Sequence, residues 1–252
     1  MKLSVLVLTR DEEDNLPTLL ESLKLLPVDY EVVVVDSGST DRTVEIAKEY
    51  GARVFFKEWE GYVKQREYAL SLARGEWVLF MDADEWLTPE VAQSIGEAVK
   101  GGKYDAYTVL RRNVYMGKLQ RMRGTRLLRL ARRDVAVISG KYVHETLSIR
   151  SGRIGKLRGY IGHRPYRNLL HHWEKNTKYA ALSAREKDEA GKRASFWDLL
   201  FRFPLMFLRY YVLQGAFLDG RRGIVYALSQ AWYHFQKYAL LFEKETGASD
   251  SD

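Results

Sequence analysis

The sequence predicts an α/β fold, with a mostly parallel sheet, flanking helices and a C-terminal helical extension. The first half of the chain alternates apolar runs with helical patterns. Continuous apolar runs, which are typical of strands covered on both faces, lie at residues 3–8, 31–35, 53–56 and 77–81. Strands that alternate with helices imply parallel pairing through crossover helices. From about residue 165 onward the pattern is helical, with a break near Asp219 and Gly220.

Local signals bound the helices between these strands. Leucines recur at helical spacing within residues 12–25. Capping and stop residues mark the other three helices: Ser39–Asp41 before residues 42–50, Gly51 after them, Gly75 after residues 62–73, and Pro89 at the first turn of residues 89–99. Each strand is therefore followed by a helix that can cover the sheet.

The second half is less regular. Short strands are predicted at residues 106–110 and 135–138, and Arg111–Arg133 is densely basic without an acidic residue. Helices are predicted over Leu169–Ala190 and Phe196–Glu245. Residues 246–252 are expected to be a disordered tail.

Charge and cysteine content restrict the function. The 252-residue chain carries a net charge of +7, which indicates an anionic partner: a nucleotide, a phospholipid, a phosphorylated saccharide or a nucleic acid. The chain has no cysteine, which excludes disulfides, zinc-thiolate sites and thiol catalysis and fits a reducing compartment.

No segment reads as a membrane span. The apolar run at the N-terminus is too short for a signal peptide and is interpreted as a buried strand. The densest apolar segment, Phe196–Leu218, is interrupted by Asp198, Arg202, Pro204 and Arg209. A span needs about 20 apolar residues, so this segment is expected to lie on a membrane, not to cross one.

Three polar clusters directly follow predicted strands: Thr9–Glu13, Asp36–Asp41 and Asp82–Glu85. In open parallel sheets, ligands bind at the carboxyl ends of the strands. Polar residues in turns also explain any single cluster, but the coincidence of three predicts a binding site at this edge.

The sequence Asp82-Ala83-Asp84-Glu85 follows the fourth predicted strand. Two carboxylates one residue apart can hold Mg²⁺ or Mn²⁺ and leave positions for phosphate oxygens. Asp84 and Asp82 are therefore candidate metal ligands, and the metal would stabilise the charge on a departing diphosphate. The alternative is a turn that caps the helix opened by Pro89.

Two further groups have both a functional and a plain interpretation. The segment Asp36–Asp41 suits contacts to a base or ribose, or simply caps the next helix. Arg66, with Lys64, lies on the predicted helix at 62–73 and could reach a diphosphate, or else belongs to a solvated helix face.

These motifs, in this order, resemble the family 2 glycosyltransferases. The matching text is LSVLVLTRDEEDNL, EVVVVDSGSTDRTVEIA and GYVKQREYALSLARGEWVLFMDADE, which covers roughly residues 1–100. The resemblance implies the GT-A fold, with a nucleotide-sugar-binding half over residues 1–100, an acceptor half over 101–165 and a helical, membrane-associating extension over 166–245.

The resemblance also implies roles for single residues. The residues it places against the nucleotide sugar are Thr9, Arg10, Glu12, Asp36, Ser37, Lys64, Arg66, Asp82 and Ala83. Many relatives carry an aspartate that contacts the uracil where this chain has Ser37. Asp84 is implied as the metal ligand, assisted by Asp82.

A later motif, Val143–Thr146 (VHET), places a carboxylate beside a histidine. Such a carboxylate can act as the general base that removes the proton of an acceptor hydroxyl. The chain resembles the branch that contains the inner-core lipopolysaccharide glucosyltransferases, which implies Glu145 as the base and His144 beside it. His163, His171 and His172 show no clear metal-binding pattern.

The resemblance implies inverting transfer of a hexose, most simply glucose from UDP-glucose, to a lipid-linked saccharide such as the lipopolysaccharide inner core. The expected location is cytoplasmic, at the inner face of the membrane, in contact with anionic lipid. Within the basic stretch, Arg126 and Arg129 are candidates for binding acceptor phosphates. The C-terminal helices either lie in a lipid interface or pack on the catalytic domain.

Three alternatives stay open. A sugar-phosphate nucleotidyltransferase would place a glycine-rich loop after the first strand, where this chain reads TRDEEDNL. A dinucleotide-binding dehydrogenase would need G-x-G-x-x-G at the same place. A nucleic-acid-binding protein would explain the basic stretch but not the carboxylates, so no nucleic acid is expected as a partner.

Overall fold

The computed structural model describes residues 2–139 and 146–246. The chain divides into two compact units: Met1–Arg112 with Gly124–His163, and Asn113–Arg123 with Arg164–Asp252. The second unit thus takes in a short segment from the middle of the chain, which the sequence pattern does not reveal.

The elements up to residue 163 alternate between strands and helices before a run of strands. In chain order they are β1 (Leu3–Thr9), α1 (Leu16–Leu23), β2 (Tyr30–Asp36), α2 (Thr43–Glu49), β3 (Arg53–Phe56), α3 (Tyr62–Leu72), β4 (Trp77–Asp82), β5 (Glu85–Leu87), α4 (Pro89–Gly101), β6 (Ala106–Tyr115), β7 (Lys118–Leu119), β8 (Thr125–Arg132), β9 (Ala136–Ser139), β10 (Thr146–Ile149) and β11 (Ile154–His163).

The main sheet of the first unit has the strand order β3-β2-β1-β4-β8-β6-β11-β5. The strands β3, β2, β1 and β4 pair in parallel. Beyond β4 the pairs β4–β8, β8–β6 and β11–β5 are antiparallel. The predicted α/β class is confirmed, with the parallel part confined to the first four strands.

Strand β1 is buried on both faces, as its continuous apolar sequence predicts. Leu3, Val5 and Val7 pack into a core with the leucines of α1. Leu6 points to the opposite face and packs into a second core with Ala69 of α3. Burial on both sides fixes the position of the β1 carboxyl end, where the first polar cluster begins.

The strands that the sequence pattern misses are β5, β7, β8, β10 and β11. Strand β8 reads TRLLRLAR, and its Arg129 is buried, so charge interrupts the apolar pattern at an inward position. Strand β5 likewise begins at the buried Glu85. Strands predicted at 106–110 and 135–138 correspond to β6, which extends to Tyr115, and to β9.

The second unit is mainly helical, as predicted. It contains α5 (Leu169–Glu189), α6 (Phe196–Leu208), a π-helical turn (Arg209–Leu213), a 3-10 turn (Ala216–Asp219) and α7 (Arg221–Glu245). The predicted break near Asp219 and Gly220 is confirmed: Gly220 adopts φ +57° and ψ −132°, a conformation that favours glycine. Among the described helices, none combines the length and apolar character needed to cross a membrane. The tail predicted to be disordered lies, from residue 247, outside the described residues.

A buried histidine, His172, organises the polar interior of the second unit. The amide groups of Asn176 and Gln230 lie 3.0 and 3.3 Å from its Nε2. Both amides donate, so Nε2 accepts and the ring proton lies on Nδ1, 3.1 Å from the Tyr115 hydroxyl. The ring also stacks on Tyr166, with centroids 3.9 Å apart.

We expect the free energy of unfolding to fall as the pH is lowered from about 6.5 towards 4. Burial lowers the pKa of His172 from 6.5 to about 4. As the pH falls, the unfolded chain therefore binds this proton before the folded chain does. The resulting decrease in the free energy of unfolding reaches about 3 kcal/mol below pH 4. Urea unfolding at pH 7.5, 6 and 4.5 measures it.

Two neighbouring histidines provide the matched comparison. His172→Gln should be less stable than the parent at pH 7.5 and should show a weaker decline towards pH 4.5. His171→Gln, one residue away and partly exposed, should lose less of the decline than His172→Gln, although burial lowers the pKa of His171 as well. An unchanged pH dependence in His172→Gln would contradict this assignment.

Candidate active site

The parallel strands bring the three predicted polar clusters to one edge of the sheet. Thr9 at the end of β1 is aligned with Asp36 at the end of β2. Leu8 of β1 is aligned with Asp82 at the end of β4. Because β2, β1 and β4 are adjacent, the loops that follow them form a continuous surface.

The loop after β1 is fastened to the loop after β2. The Asp11 carboxylate accepts a hydrogen bond from the Thr40 backbone N–H (2.7 Å), and the Glu12 N–H donates to the Thr43 hydroxyl (2.8 Å). Asp11 has φ +53°, a left-handed conformation that aspartate tolerates better than most residues. Arg10 is exposed beside this junction.

Asp36 shapes the second loop. Its carboxylate accepts hydrogen bonds from the Thr9 hydroxyl (2.9 Å), from the N–H groups of Gly38 and Ser39 (both 2.9 Å) and from the Ser39 hydroxyl. Gly38 has φ +90°, which glycine adopts without strain. Because four donors share its two carboxylate oxygens, Asp36 mainly fixes the conformation of this loop.

Ser37 is held from two sides. Its N–H donates to the Thr9 carbonyl (3.0 Å), and its hydroxyl accepts from the Gln65 amide (3.3 Å). Gln65 of α3 is fully buried and also donates to the carbonyls of Lys57 and Glu58. Helix α3 thereby braces the loop that carries Ser37.

The loop after β4 begins in a cluster of arginines and carboxylates. Asp82 accepts from Arg66 (2.9 Å) and Arg129 (2.6 Å), one on each oxygen. Glu85 accepts from Arg129 (2.6 Å), from Arg111 (3.4 Å) and from the Asp82 backbone N–H (3.0 Å). Three guanidinium groups thus face two carboxylates. We call these five residues the arginine cluster.

Burial and charge displace the pKa values of this cluster in opposite directions. Burial alone would raise the pKa of the Asp82 carboxyl, but Arg129, Arg66 and Arg111 hold it far below its usual range. Burial raises the pKa of Glu85, and the charge of Asp82 adds to that effect against the pull of Arg129. Burial would lower the pKa of Arg129, yet Asp82 and Glu85 raise it above its ordinary value.

Asp84 lies apart from the arginine cluster. Its carboxylate is 3.2 Å from Nε2 of His163, the last residue of β11, which is aligned with Glu85 of β5. Both side chains are mostly buried, with 18% and 10% exposed. The described residues contain no group of three His, Asp or Glu side chains arranged to hold a metal ion. Asp84 and His163 therefore offer two potential metal ligands.

The other predicted site residues are placed as follows. Ala83 is buried between the two aspartates. Lys64 points into solvent and forms an ion pair with Glu60 (3.2 Å). Arg126 is exposed on β8, whereas Arg129 on the same strand is buried in the arginine cluster. The predicted base Glu145 and its neighbour His144 lie outside the described residues.

Sequence reasoning did not select Glu85, Arg111 or His163 for the site. Arg129 is predicted to bind an acceptor phosphate and Arg111 belongs to the same basic stretch, but in the structure both donate to carboxylates. The arginines of β8 recur every third residue and those of β6 are adjacent, so neither strand shows the two-residue alternation that would mark an inward-facing arginine. His163 had no signal, since the β11–β5 pairing that brings it to Asp84 joins residues far apart in the chain.

Comparison with known proteins shows the family to which this chain belongs. The sequence profile of the family described as "Glycosyl transferase family 2" matches residues 4–161. A lipopolysaccharide core biosynthesis glycosyltransferase, LpsC of Rhizobium meliloti, is 31% identical, with 97% of this chain and 93% of that protein covered. An uncharacterized glycosyltransferase of Rickettsia typhi is 29% identical, with 96% and 87% covered.

The fold has a counterpart among solved structures. Residues 1–349 of S. aureus TarS in complex with UDP-GlcNAc superpose with a TM-score of 0.50 at 19% identity. The match covers 98% of this chain and 92% of that one. At this identity the likeness supports the GT-A fold alone.

Proposed function

The chain belongs to glycosyltransferase family 2, and from this membership we propose that it transfers glucose from UDP-glucose, with inversion, to a lipid-linked saccharide of the lipopolysaccharide core. The observation that carries the proposal is the meeting of three strand-end loops beside the Asp84–His163 pair. The relative named for lipopolysaccharide core biosynthesis, similar over nearly its whole length, supports the acceptor class. The site would act at the cytoplasmic face of the membrane, where nucleotide sugars are available.

Asp84 and His163 fit a divalent cation. A carboxylate oxygen and an imidazole nitrogen 3.2 Å apart supply two ligands and leave positions for diphosphate oxygens. A mixed oxygen and nitrogen donor set favours Mn²⁺ over Mg²⁺. Bound there, the cation would neutralise the charge that develops on the leaving UDP.

Asp82 is already hydrogen-bonded to two arginines. Both of its oxygens already accept hydrogen bonds from guanidinium groups, so we assign the cation to Asp84 with His163 and not to Asp82. Asp82 then holds Arg66 and Arg129 in fixed positions. Three arginines against two carboxylates leave a net positive charge, which suits a diphosphate next to the cluster.

The loops after β1 and β2 are assigned to the nucleoside. The Asp36 carboxylate and the α3 residue Gln65 fix the backbone around Ser37 and Gly38, so this surface needs little rearrangement to bind a flat base. Arg10 and Glu12 flank it from the neighbouring loop. A preformed surface reduces the entropic cost of ordering loops on binding.

We expect Asp84→Asn to weaken UDP binding in the presence of Mn²⁺ about tenfold or more, because the amide removes the charge that helps to hold the cation. In the absence of Mn²⁺ the parent and the variant should bind UDP equally. Isothermal titration with and without Mn²⁺ measures both. Asp29→Asn is the control, because Asp29 is exposed at the opposite end of β2.

The outcomes separate the parts of the proposal. Equal Mn²⁺ enhancement in Asp84→Asn and the parent would overturn the metal assignment. Glucose transfer is tested with UDP-glucose and deacylated or intact lipopolysaccharide core, with other UDP sugars in parallel. A parent protein that neither binds UDP nor turns over any UDP sugar would overturn the proposed function.

A further inference from the structure

The second unit exposes a continuous apolar stripe. Along α6 and the two short helical turns after it, exposed apolar side chains recur in pairs about four residues apart. The exposed fractions run from 45% for Phe201 to 71% for Leu213. The stripe consists of Phe196, Trp197, Leu200, Phe201, Leu205, Leu208, Val212, Leu213, Phe217 and Leu218.

Helix α6, which carries most of this stripe, differs from an ordinary surface helix because it exposes apolar side chains to solvent. A surface helix of a soluble protein turns its apolar side inward and its charged side to water. In α6 the ion-paired Asp198 and Arg202 are mostly covered, with 19% and 28% of their side chains exposed. The Arg202 guanidinium lies 4.2 Å from the centre of the Tyr238 ring of α7. The covered side of α6 therefore holds this ion pair together with partly buried apolar residues, while the stripe faces outward.

A basic cavity adjoins the end of the stripe. A cavity of about 160 Å³ is lined by Lys118, Arg121 and Arg222, and by Leu218, which also ends the stripe. The one carboxylate in its wall, Asp219, accepts hydrogen bonds from the backbone N–H groups of Arg121 (2.8 Å) and Met122 (3.3 Å). Within the described residues, none of the three cations forms an ion pair.

We propose that this face docks on an anionic lipid bilayer, with the stripe inserted among the acyl chains and the basic cavity holding a lipid phosphate. An exposed apolar area of this extent marks an interaction surface. Apolar and aromatic side chains beside cations are the combination that binds the boundary between headgroups and acyl chains. The inference deepens the proposed function. It rests on that function in one respect: docking would give the active site access to a lipid-linked acceptor.

The charge of the unit favours a bilayer over a second copy of the chain. Residues 113–123 and 164–246 contain 17 lysines and arginines against eight acidic residues. Two copies facing each other through this surface would bring like charges together, which disfavours association. An anionic surface instead gains favourable energy from each cation close to it.

Vesicle flotation tests the proposal with the full chain. The parent should float with vesicles of phosphatidylcholine and phosphatidylglycerol (7:3), float poorly with pure phosphatidylcholine, and be released at high salt. The triple variant Trp197→Ser, Leu208→Ser, Leu213→Ser should partition at least about tenfold less, because each insertion removes apolar area from water. Ile154→Ser in the first unit, with 52% exposure matching the 53% of Leu208, should bind like the parent.

A second pair of variants tests the cavity. Lys118→Ala with Arg121→Ala should reduce binding to the anionic vesicles and flatten its salt dependence. Lys48→Ala with Lys100→Ala removes two exposed cations from the first unit and should leave binding unchanged. Equal loss in both double variants would mean that net charge alone governs binding, and would overturn the cavity as a lipid site.

Tryptophan fluorescence measures insertion into the bilayer without introducing polar substitutions into the stripe. Brominated acyl chains should quench Trp197 on binding, and Trp197→Phe should bind normally with less quenching. A parent that does not float, a triple variant that floats normally, or a concentration-dependent dimer that the triple variant abolishes would each overturn the proposal. UDP binding that persists in the triple variant separates such a failure from failure of the proposed function.

Discussion

Replacing Arg129 by methionine is expected to lower the free energy of unfolding by about 3–5 kcal/mol at pH 7.5. Arg129 donates to both carboxylates of the arginine cluster, at 2.6 Å each, and its side chain is only 6% exposed. Methionine fills similar space but leaves Glu85, which has no exposed side-chain surface, facing a methyl group. Removing one partner of a buried pair costs more than the pair contributes, because the remaining charge keeps its desolvation penalty.

The deficit should shrink at lower pH. The pKa of Glu85 is already raised by burial, and loss of Arg129 raises it further. The folded variant then takes up a proton on Glu85 at a pH where the unfolded chain is still ionised. Since the folded state binds more protons in that window, acidification stabilises the variant relative to the parent. Urea unfolding of both proteins at pH 7.5 and pH 5 measures the difference.

Arg126→Met is the matched control. Arg126 lies on the same strand, three residues away, but is exposed. Exposed substitutions away from special contacts change stability by less than about 0.5 kcal/mol. If the two methionine variants lost stability equally, the contacts of Arg129 in the arginine cluster would make no special contribution to the free energy of unfolding. If the Arg129 deficit grew at pH 5, the assignment of the proton to Glu85 would be wrong.

The arginine cluster also shows how far sequence reasoning reaches. Apart from the short strand β5, the order of strands and helices up to residue 101 follows from local patterns, because each of the other strands is a continuous apolar run and each helix has its own spacing or end signals. The three polar clusters follow with it, since parallel strands place their carboxyl ends at one edge. What cannot be obtained in this way is the partner of each charge. The pairing of Arg129 with Asp82 spans 47 residues, and depends on β8 adding to β4 in antiparallel orientation.

His163 and α6 illustrate two other limits. His163 comes close to Asp84 only because β11 pairs with β5, and no local pattern encodes that pairing. The segment Phe196–Leu218 is predicted as apolar and helical, but composition does not say which side of α6 faces outward. That orientation is decided by the packing of α6 on α7, including the contact between Arg202 and Tyr238.

Inverting transfer needs a base for the acceptor hydroxyl, and the carboxylates at the ends of β2 and β4 are poorly suited to that role. Asp36 accepts four hydrogen bonds. Asp82 has a strongly lowered pKa, which makes it a weak base, and the Glu85 side chain is inaccessible to an acceptor. Asp84 is assigned to the cation. The proton must therefore go to another group, for which we propose Glu145 of the VHET motif.

We expect Glu145→Gln to lower kcat for glucose transfer by about 10²–10⁴-fold, the range over which a positioned general base contributes. The amide keeps the size of the side chain but cannot accept the proton. UDP affinity with Mn²⁺ should stay within about twofold of the parent value, because a base acts on the acceptor and not on the nucleotide. This profile is the opposite of that expected for Asp84→Asn, whose UDP binding loses its response to Mn²⁺.

The two substitutions together identify which residue does what. Steady-state transfer and UDP titration are measured on Glu145→Gln, Asp84→Asn and the double variant. Glu145→Asp is the conservative control: it retains a carboxylate and should recover part of the rate lost in Glu145→Gln, with the parent's pH profile shifted but present. Transfer at the parent rate in Glu145→Gln would discard Glu145 as the base. A tenfold loss of UDP affinity in that variant would instead place Glu145 at the nucleotide, and the proton would then have to be accepted by a group beyond the strand ends described above.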